Sequence, residues 1–360
     1  MHILSEPWRG TSVFVTGHTG FKGGWLVTWL SELGASVHGF ALSPPTTPSI
    51  FETVRVADVL ASDTRANLAD ICTLRSTLIA CRPRVVFHLA AQPLVRASYA
   101  DPLGTLTTNV IGTAHLLEAV RAVDSVQAVV IVTSDKVYDN REWIYPYRET
   151  DPLGGHDPYS ASKGATEIVT ASYRASFFGG VNGHPARIAT ARAGNVIGGG
   201  DWAVDRLVPD CLRAFSEHKA VSLRSPGAVR PWQHVLEPLS GYLHLAQALL
   251  GGDADQYVGA WNFGPTSGDD ATVGNVAEEV ARLWGDAAHV DVQQDGSHHP
   301  HEAATLRLDT TRARVELGWL PRWDLTSALS HTVAWHKAWL AGSDMAALTR
   351  DQIKDYASAY

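Results

Sequence analysis

The sequence contains three side chains whose types and spacing suit proton exchange with a substrate hydroxyl. Tyr159 and Lys163 are four residues apart, so on a helix both lie on one face, one turn apart. A positive charge about 4 Å from the phenol would lower its pKa by roughly 3 units from about 10. Ser134 follows the apolar run 128–132, which is typical of a buried parallel strand, and could hydrogen-bond the same oxygen. The pattern predicts a tyrosine base assisted by serine and lysine, although this spacing also occurs on exposed helix faces.

A glycine-rich segment near the N-terminus predicts a dinucleotide phosphate site. Residues 12–16 form a short strand-like run, Gly17, Gly20 and Gly23 follow it, and the apolar pattern of residues 25–33 predicts a helix. Glycines let the backbone turn tightly and approach the phosphates, whose charge is stabilised by free N–H groups at the helix N-terminus. Because the spacing is GxxGxxG and not GxGxxG, a turn with incidental glycines is the alternative.

Together these motifs resemble the extended short-chain dehydrogenase/reductase family, and within it the nucleotide-sugar 4,6-dehydratases, over nearly the whole chain. The resemblance implies that NAD binds in the glycine loop. It also implies that Asp63 contacts the adenine and that residues 88–92 line the nicotinamide riboses. The cofactor-binding residues that it implies are Gly17, Gly20, Phe21, Lys22, Gly23, Asp63, Thr64, Leu89, Ala90, Ala91, Asn109, Tyr159 and Lys163.

Segments 41–52, 194–202 and 230–235 resemble the family members that act on CDP-glucose. Arg206 and Arg230 are candidates for the nucleotide diphosphate, because guanidinium groups bind phosphate oxygens in pairs. The substrate-binding residues expected here are Gln92, Asn195, Trp202, Arg206, Arg230 and Gln233. Trp202 is the weakest of these, since an indole beside a turn more often packs than binds ligand.

The resemblance implies an internal oxidation, elimination and reduction. Tyr159 accepts the 4-hydroxyl proton as hydride leaves C4 for NAD, water is eliminated across C5 and C6, and hydride returns to C6. Most 4,6-dehydratases carry glutamate after Asp135, whereas this chain carries Lys136, as CDP-glucose dehydratases do. We expect Lys136 to remove the C5 proton while Asp135 protonates the departing 6-hydroxyl. In water the free energy of the neutral Asp135–Lys136 pair is higher than that of the ionised pair by the equivalent of roughly 6.5 pKa units. Burial must therefore close much of this difference. The alternative interpretation is a surface ion pair.

Strand-like and helical runs alternate along the first half of the chain, which predicts an α/β fold with a doubly wound parallel sheet. The strand-like runs are 13–16, 36–42, 85–90, 128–133 and 188–193, and the helical runs are 25–33, 68–80, 109–123 and 159–178. We expect a Rossmann-like domain over 1–195 and a smaller, interleaved substrate lobe over 196–360, with about 231–264 packing beside the sheet. The helical runs 109–123 and 159–178 resemble the pair through which this family dimerises, which implies a homodimer or a dimer of dimers.

Composition is that of a globular enzyme. With 360 residues and 45% hydrophobic content, the chain can bury a large core. A net charge of -8 without a basic stripe argues against nucleic acid, and the lack of a leader or a long apolar run argues for a cytoplasmic protein without a membrane contact. Cys72, Cys81 and Cys211 form no CxxC motif, so neither a disulfide nor a zinc site is expected. The histidines in 298–301 fit a polar loop better than a metal site.

Several alternatives stay open on the sequence alone. Neither an acidic residue nor an arginine lies near Ser43 in sequence, where the cofactor ribose would be read, so NADP competes with NAD. A nucleotide-sugar 4-epimerase would use the same Ser134, Tyr159 and Lys163. A dehydratase for a GDP or dTDP sugar would share every catalytic residue. A catalytically silent dinucleotide-binding protein would keep the fold alone.

Overall fold

The computed structural model describes residues 7–179, 183–223, 225–266, 271–285, 288–291 and 305–358. At its centre lies a seven-stranded sheet in which every pairing is parallel. Its strands, in the order that they have across the sheet, are β11 (Gly259–Phe263), β6 (Arg187–Ala193), β5 (Ala128–Val132), β4 (Val85–His88), β1 (Ser12–Thr16), β2 (Ser36–Ala41) and β3 (Ser62–Arg65). The remaining strands form two-stranded pairs and are β7 (Val196–Ile197), β8 (Val221–Ser222), β9 (Val229–Arg230), β10 (Gln233–His234), β12 (Ala271–Thr272) and β13 (Val290–Asp291).

Helices surround the central sheet. The helices of the first half are α1 (Phe21–Glu32), α2 (Ile50–Thr53), α3 (Ile71–Cys81), α4 (Val95–Ala100), α5 (Pro102–Leu106), α6 (Gly112–Val120) and α7 (Pro158–Phe177). Those of the second half are α8 (Leu207–Ser216), α9 (Leu236–Leu249), α10 (Val273–Trp284), α11 (Thr311–Glu316), α12 (Leu325–Leu340) and α13 (Met345–Ser358). A π-helical segment, Thr107–Ile111, joins α5 to α6.

The sheet is parallel because its central strands are buried on both faces. All residues of β4 and β5 are buried, and their valine- and isoleucine-rich sequences suit a strand covered by helices on each side. All five predicted strands belong to this sheet, so the predicted fold class is confirmed. Two of its strands were missing from the sequence prediction: β3 is short and polar, and β11 begins with glycine.

The second half of the chain contributes to the sheet layer as well as to a smaller body. Helix α9 packs against β5 and β6, and β11 pairs with β6 at the edge of the sheet. A separate apolar cluster, with Leu212, Phe215, Val280 and Leu329 among its members, joins α8, α10 and α12. The domain boundary expected at 195 stays a prediction.

Two findings bear on the chain's environment. Within the part of the chain that the structure describes, no helix is both long and apolar enough to cross a membrane. Cys72, Cys81 and Cys211 are free thiols.

Glu237, on α9, connects the C-terminal helix to the rest of the fold. Its fully buried carboxylate accepts hydrogen bonds from the backbone N–H groups of Arg322 (3.1 Å) and Trp323 (2.8 Å) and from the hydroxyl of Tyr356 (2.6 Å) on α13. Burial raises the pKa of this carboxyl from 4.5 to about 7, against the opposing effect of these hydrogen bonds.

Glu237→Gln should flatten the pH dependence of stability between the two pKa values. Between these pKa values the folded protein holds a proton on Glu237 that the unfolded chain has released. The stabilisation that this proton gives is complete below the unfolded pKa and is lost as pH rises through 7. The full effect corresponds to about 3 kcal/mol. Thermal unfolding should show the wild-type midpoint falling more steeply with pH than that of the variant, and parallel curves would contradict this.

Candidate active site

A cavity of about 790 Å³ lies at the carboxyl ends of the central strands. It is lined by the segments that follow β1, β4, β5 and β6 and by residues 200–210, 221–223 and 225. In open parallel sheets, ligands bind in the crevice outside the carboxyl ends, where neighbouring strands lead to helices on opposite faces. The strand order places β1 between β4 and β2, so the glycine loop after β1 lies at such a crevice.

The glycine loop has the shape of a phosphate cradle. Gly17 has φ of 76°, and a Cβ there would lie 2.7 Å from the backbone nitrogen of Ala90. A Cβ on Gly23 would lie 2.1 Å from the carbonyl oxygen of Gly17. Side chains are therefore excluded at both positions, and α1 begins directly after Gly20 with its first N–H groups free of intrahelical partners. The loop fits the pyrophosphate of a dinucleotide.

The segment after β5 carries Ser134, Asp135 and Lys136 in a single 3₁₀ turn. The Ser134 hydroxyl accepts from the backbone N–H of Lys136 (3.2 Å) and donates to Oδ1 of Asp135 (3.0 Å). Tyr159 and Lys163 lie in the first turns of α7, which is capped by the side chain of Asp157. The structure brings all five predicted catalytic residues to the wall of the same cavity.

Burial controls the electrostatics of these groups. It raises the pKa of Tyr159 to about 12, despite a hydrogen bond with Ser134 and the nearby charge of Arg206. It also lowers the pKa of Lys163 to about 8, and the amine donates to the carbonyl of Val132 at 3.2 Å. The net effect on the phenol is therefore a raised pKa, opposite in direction to the lowered value expected from the sequence, because desolvation outweighs the neighbouring charges.

Burial acts on Asp135 in the direction that the elimination chemistry requires. The carboxyl is 2% exposed, its Oδ2 has no hydrogen-bond partner among the described residues, and burial raises its pKa against the opposing charge of Lys136. Lys136 is half-buried, and its Nζ lies 6.0 Å from the ring centroid of Tyr159. The pair is thus not the solvated ion pair that was the alternative interpretation.

Most residues expected at the cofactor line the cavity, and three do not. Gly17, Gly20, Phe21, Lys22, Gly23, Leu89, Ala90 and Ala91 all lie on its wall. Asp63 and Thr64 are not part of the wall. The carboxylate of Asp63 binds Nε2 of His18 (2.9 Å) and both Nε and Nη2 of Arg65 (2.7 and 2.8 Å). Its side chain is engaged in this ion pair, and the expected contact with the adenine stays a prediction.

Asn109 is also outside the cavity wall, and it holds the loop after β4 against α7. Its amide accepts from the backbone N–H of Gln92 (2.8 Å) and donates to the Gln92 carbonyl (3.1 Å) and to Ser162 (2.8 Å). These hydrogen bonds support the loop that contains Leu89 and Ala90, and the expected place of Asn109 at the cofactor stays a prediction.

Among the expected substrate residues, Asn195, Trp202, Arg206 and Arg230 line the cavity. Arg206 forms an ion pair with Asp201 (2.8 Å), a partner that the sequence analysis did not identify. Trp202 packs edge-on against Trp335 and Trp339, which agrees with its low rank as a ligand.

The two expected glutamines lie outside the wall. Gln92 donates to the carbonyl of Leu94 (3.0 Å) and to the Thr105 hydroxyl (2.9 Å). Gln233 is 2% exposed and donates to the Phe263 carbonyl at 2.9 Å. Both side chains thus bind neighbouring backbone carbonyls, and their expected contacts with substrate stay predictions.

Metal binding has no support in the described part of the chain. Among those residues, no group of three or more His, Cys, Asp or Glu side chains could hold a metal ion. The histidines of 298–301 lie outside the described residues.

Sequence comparison connects the chain to known enzymes. The sequence model of the GDP-mannose 4,6 dehydratase family matches residues 14–332. The chain is 52% identical to the CDP-glucose 4,6-dehydratase of Salmonella typhimurium, over 98% of each chain. It is 29% identical to the dTDP-glucose 4,6-dehydratase of Streptomyces griseus, over 76% of this chain and 79% of that one.

Two solved structures of similar fold are UDP-glucose 4-epimerases. The UDP-glucose 4-epimerase of Stenotrophomonas maltophila, with NAD and formylated UDP-arabinopyranose, aligns with a TM-score of 0.79 at 23% identity, covering 92% of this chain and all (100%) of that one. The UDP-glucose 4-epimerase of Thermus thermophilus, with NAD, aligns with a TM-score of 0.76 at 24% identity, covering 91% and 99%. At this identity the likeness shows the fold. The sequence matches, which span both the segment after β5 with Ser134 and the helix with Tyr159, show the family: the chain belongs to the nucleotide-sugar 4,6-dehydratases.

Proposed function

We propose that this chain converts CDP-D-glucose to CDP-4-keto-6-deoxy-D-glucose, using NAD that it retains through the cycle. The observation that carries the proposal is the convergence of Ser134, Asp135, Lys136, Tyr159 and Lys163 on one cavity that also contains a glycine cradle. The relative from Salmonella typhimurium, whose name gives CDP-glucose as its substrate, supports the choice of nucleotide.

NAD is favoured over NADP by the pairing of Arg65. The sequence shows no arginine near Ser43. In the folded protein, however, Arg65 lies beside this segment, since its Nη1 donates to the carbonyl of Leu42 at 3.3 Å. The guanidinium is already paired through two nitrogens with Asp63. This pairing reduces the positive charge that a ribose 2′-phosphate would need.

The protein's own groups divide the proton transfers. In this proposal Tyr159 takes the 4-hydroxyl proton, with Ser134 as its hydrogen-bond partner. Asp135, whose pKa is raised by burial, is the proposed donor to the departing 6-hydroxyl, and Lys136 is the proposed base at C5. When bound, the oxidised nicotinamide supplies the hydride acceptor and a positive charge. Such a charge favours the phenolate that burial alone disfavours.

Arg206 and Arg230 are the proposed diphosphate contacts, with Asn195 beside them. Both arginines and the asparagine lie on the cavity wall, and Asp201 holds the guanidinium of Arg206 in place. An arginine fixed by a carboxylate keeps its remaining N–H donors oriented, which suits binding of phosphate oxygens in pairs.

The test of function is incubation of the purified protein and NAD with CDP-glucose, and in parallel with dTDP-, GDP- and UDP-linked sugars. We expect CDP-glucose to be turned over fastest, with a product lighter by one water in mass spectrometry. A product of unchanged mass would indicate an epimerase, and faster turnover of another nucleotide sugar would contradict the assignment of cytidine.

Tyr159→Phe is the matched inactive control for this assay. The change removes only the phenolic oxygen, so turnover should fall roughly 100-fold or more if the phenol is the base. Wild-type turnover by this variant would remove Tyr159 from the mechanism.

Lys136→Met should separate oxidation from elimination. Methionine keeps the length of the stem and removes the amine, so incorporation of solvent deuterium at C5 should fall roughly 100-fold or more. Reduced cofactor should accumulate, because hydride still leaves C4. The control is Lys219→Met, at a side chain that is 70% exposed and paired with Glu217. Unchanged exchange in the Lys136 variant would show that another group is the base.

We further propose a homodimer, or a dimer of dimers, built through the layer that contains α5, α6 and α7. Leu103, Ile111 and Ile168 on this layer are 75%, 48% and 61% exposed, which is unfavourable for large apolar side chains in water.

The free thiols are consistent with the predicted cytoplasmic location, which cell fractionation would test.

Ile168→Asp should weaken the assembly, because burial of a carboxylate at an apolar interface is costly. Analytical ultracentrifugation should show wild-type protein as a dimer or tetramer and the variant shifted towards the monomer. Ile79→Asp, at a side chain on α3 that is 51% exposed, is the control and should leave the assembly intact. A monomeric wild-type protein would contradict the proposal.

A further inference from the structure

A buried ion pair connects the two segments that carry the candidate catalytic residues. Glu167 on α7 and Arg192 on β6 have side chains that are 4% and 3% exposed. Two parallel hydrogen bonds join them, from Nε to Oε1 (3.0 Å) and from Nη2 to Oε2 (3.0 Å). Neither residue lines the cavity.

The carboxylate of Glu167 is fully engaged. Besides Arg192 it accepts from the hydroxyl of Thr133 (2.5 Å) and from that of Thr190 (2.7 Å). Thr133 directly precedes Ser134, and Glu167 lies one helical turn beyond Lys163 on the same face of α7. The Glu167 carboxylate thus links α7, which carries Tyr159 and Lys163, to the residue that precedes Ser134.

The guanidinium of Arg192 holds the far end of the same turn. Its Nη1 donates to the hydroxyl of Tyr138 at 2.9 Å, and that hydroxyl donates to Oδ1 of Asn262 at 2.7 Å. Asn262, on β11, is the register partner of Arg192 in the sheet. Thr133 and Tyr138 therefore bracket the catalytic turn, and each is bonded to one member of the ion pair.

A buried ion pair of this kind is weak evidence for stability. Removing two charges from water costs several kcal/mol per ion, and well-packed apolar residues often serve a core equally well. The fork geometry of a bidentate pair fixes direction as well as distance. The contribution of the Glu167–Arg192 pair is therefore to orient α7 relative to β6.

We propose that Glu167 and Arg192 are positioning residues that fix α7 relative to segment 133–138, so that Tyr159 and Lys163 face Ser134. This inference rests on the proposed function for its kinetic test. Neither residue touches substrate; both act through the segments that they hold.

The pair also sets the charge environment of Lys163. The charged or titratable groups that act on this amine are Glu167 on its own helix, Lys22 on α1 and His88 on β4. The negative charge of Glu167 raises the pKa of Lys163, in opposition to burial. Loss of that charge should make Lys163 lose its proton at lower pH.

Glu167→Gln is the first test, because the amide keeps the size and the acceptor oxygen while removing the charge. We expect kcat to fall roughly 10- to 100-fold with little change in KM, as for small misplacements of reacting groups. The alkaline limb of the kcat–pH profile should move to lower pH. A role in stability alone would change the unfolding midpoint and leave this profile in place.

Two matched threonine variants separate positioning from stability. Thr133→Val and Thr190→Val each remove one hydrogen bond to Glu167, but only Thr133 belongs to the catalytic segment. We expect similar losses of stability and a clearly larger loss of kcat for Thr133→Val. Equal kcat values in the two variants, together with an unshifted profile in folded Glu167→Gln protein, would overturn the proposal.

Hydrogen exchange gives a readout that needs no substrate. In Glu167→Gln, backbone amides of 133–138 and of the start of α7 should exchange faster, while those of β1 and β2 should not change. Unchanged exchange at 133–138 would count against positioning even if the wild-type protein turned over none of the sugars tested. Absence of wild-type turnover alone would contradict the proposed function and not this inference.

Discussion

The parallel direction of the central strands is the constraint on which the rest of the structure depends. Because β1, β4, β5 and β6 all point the same way, the segments that follow them emerge at one edge of the sheet. The glycine cradle, the loop beside Ala90 and the Ser134 turn come from distant parts of the sequence and meet there. Helix α7 adds Tyr159 and Lys163, and the Arg192–Glu167 pair secures this helix to the strands.

Burial at this edge of the sheet shifts the pKa values of the site's titratable groups. Burial raises the pKa values of Tyr159 and Asp135 and lowers that of Lys163, so each group is pushed towards its neutral form. For Asp135 this is the form that a proton donor needs. For Tyr159, the proposed base, it is the opposite of what a base needs, and added positive charge, such as that of a bound oxidised nicotinamide, would favour the phenolate.

The sequence predicted features with a fixed local period and missed those that depend on contacts through space. Apolar runs such as 128–132 identified five strands of the sheet, whereas β3 and β11 lack a comparable apolar run. The placement of Tyr159 and Lys163 on one helix face could be predicted, because residues four apart lie one helical turn apart. The hydrogen-bond partners of Gln92 and Asn109 could not be predicted, because residue type gives no indication of which groups an amide meets in the folded chain.

The packing of α13 against α1 joins two helices that are far apart in the sequence. Trp29 on α1 meets Tyr356 on α13, with ring centroids 5.6 Å apart. In any partly folded state without α13, the tryptophan-bearing surface of α1 is uncovered, and exposed apolar surface of this kind promotes aggregation. Because α1 begins at the phosphate cradle, the docking of α13 also supports the helix that follows the glycine loop.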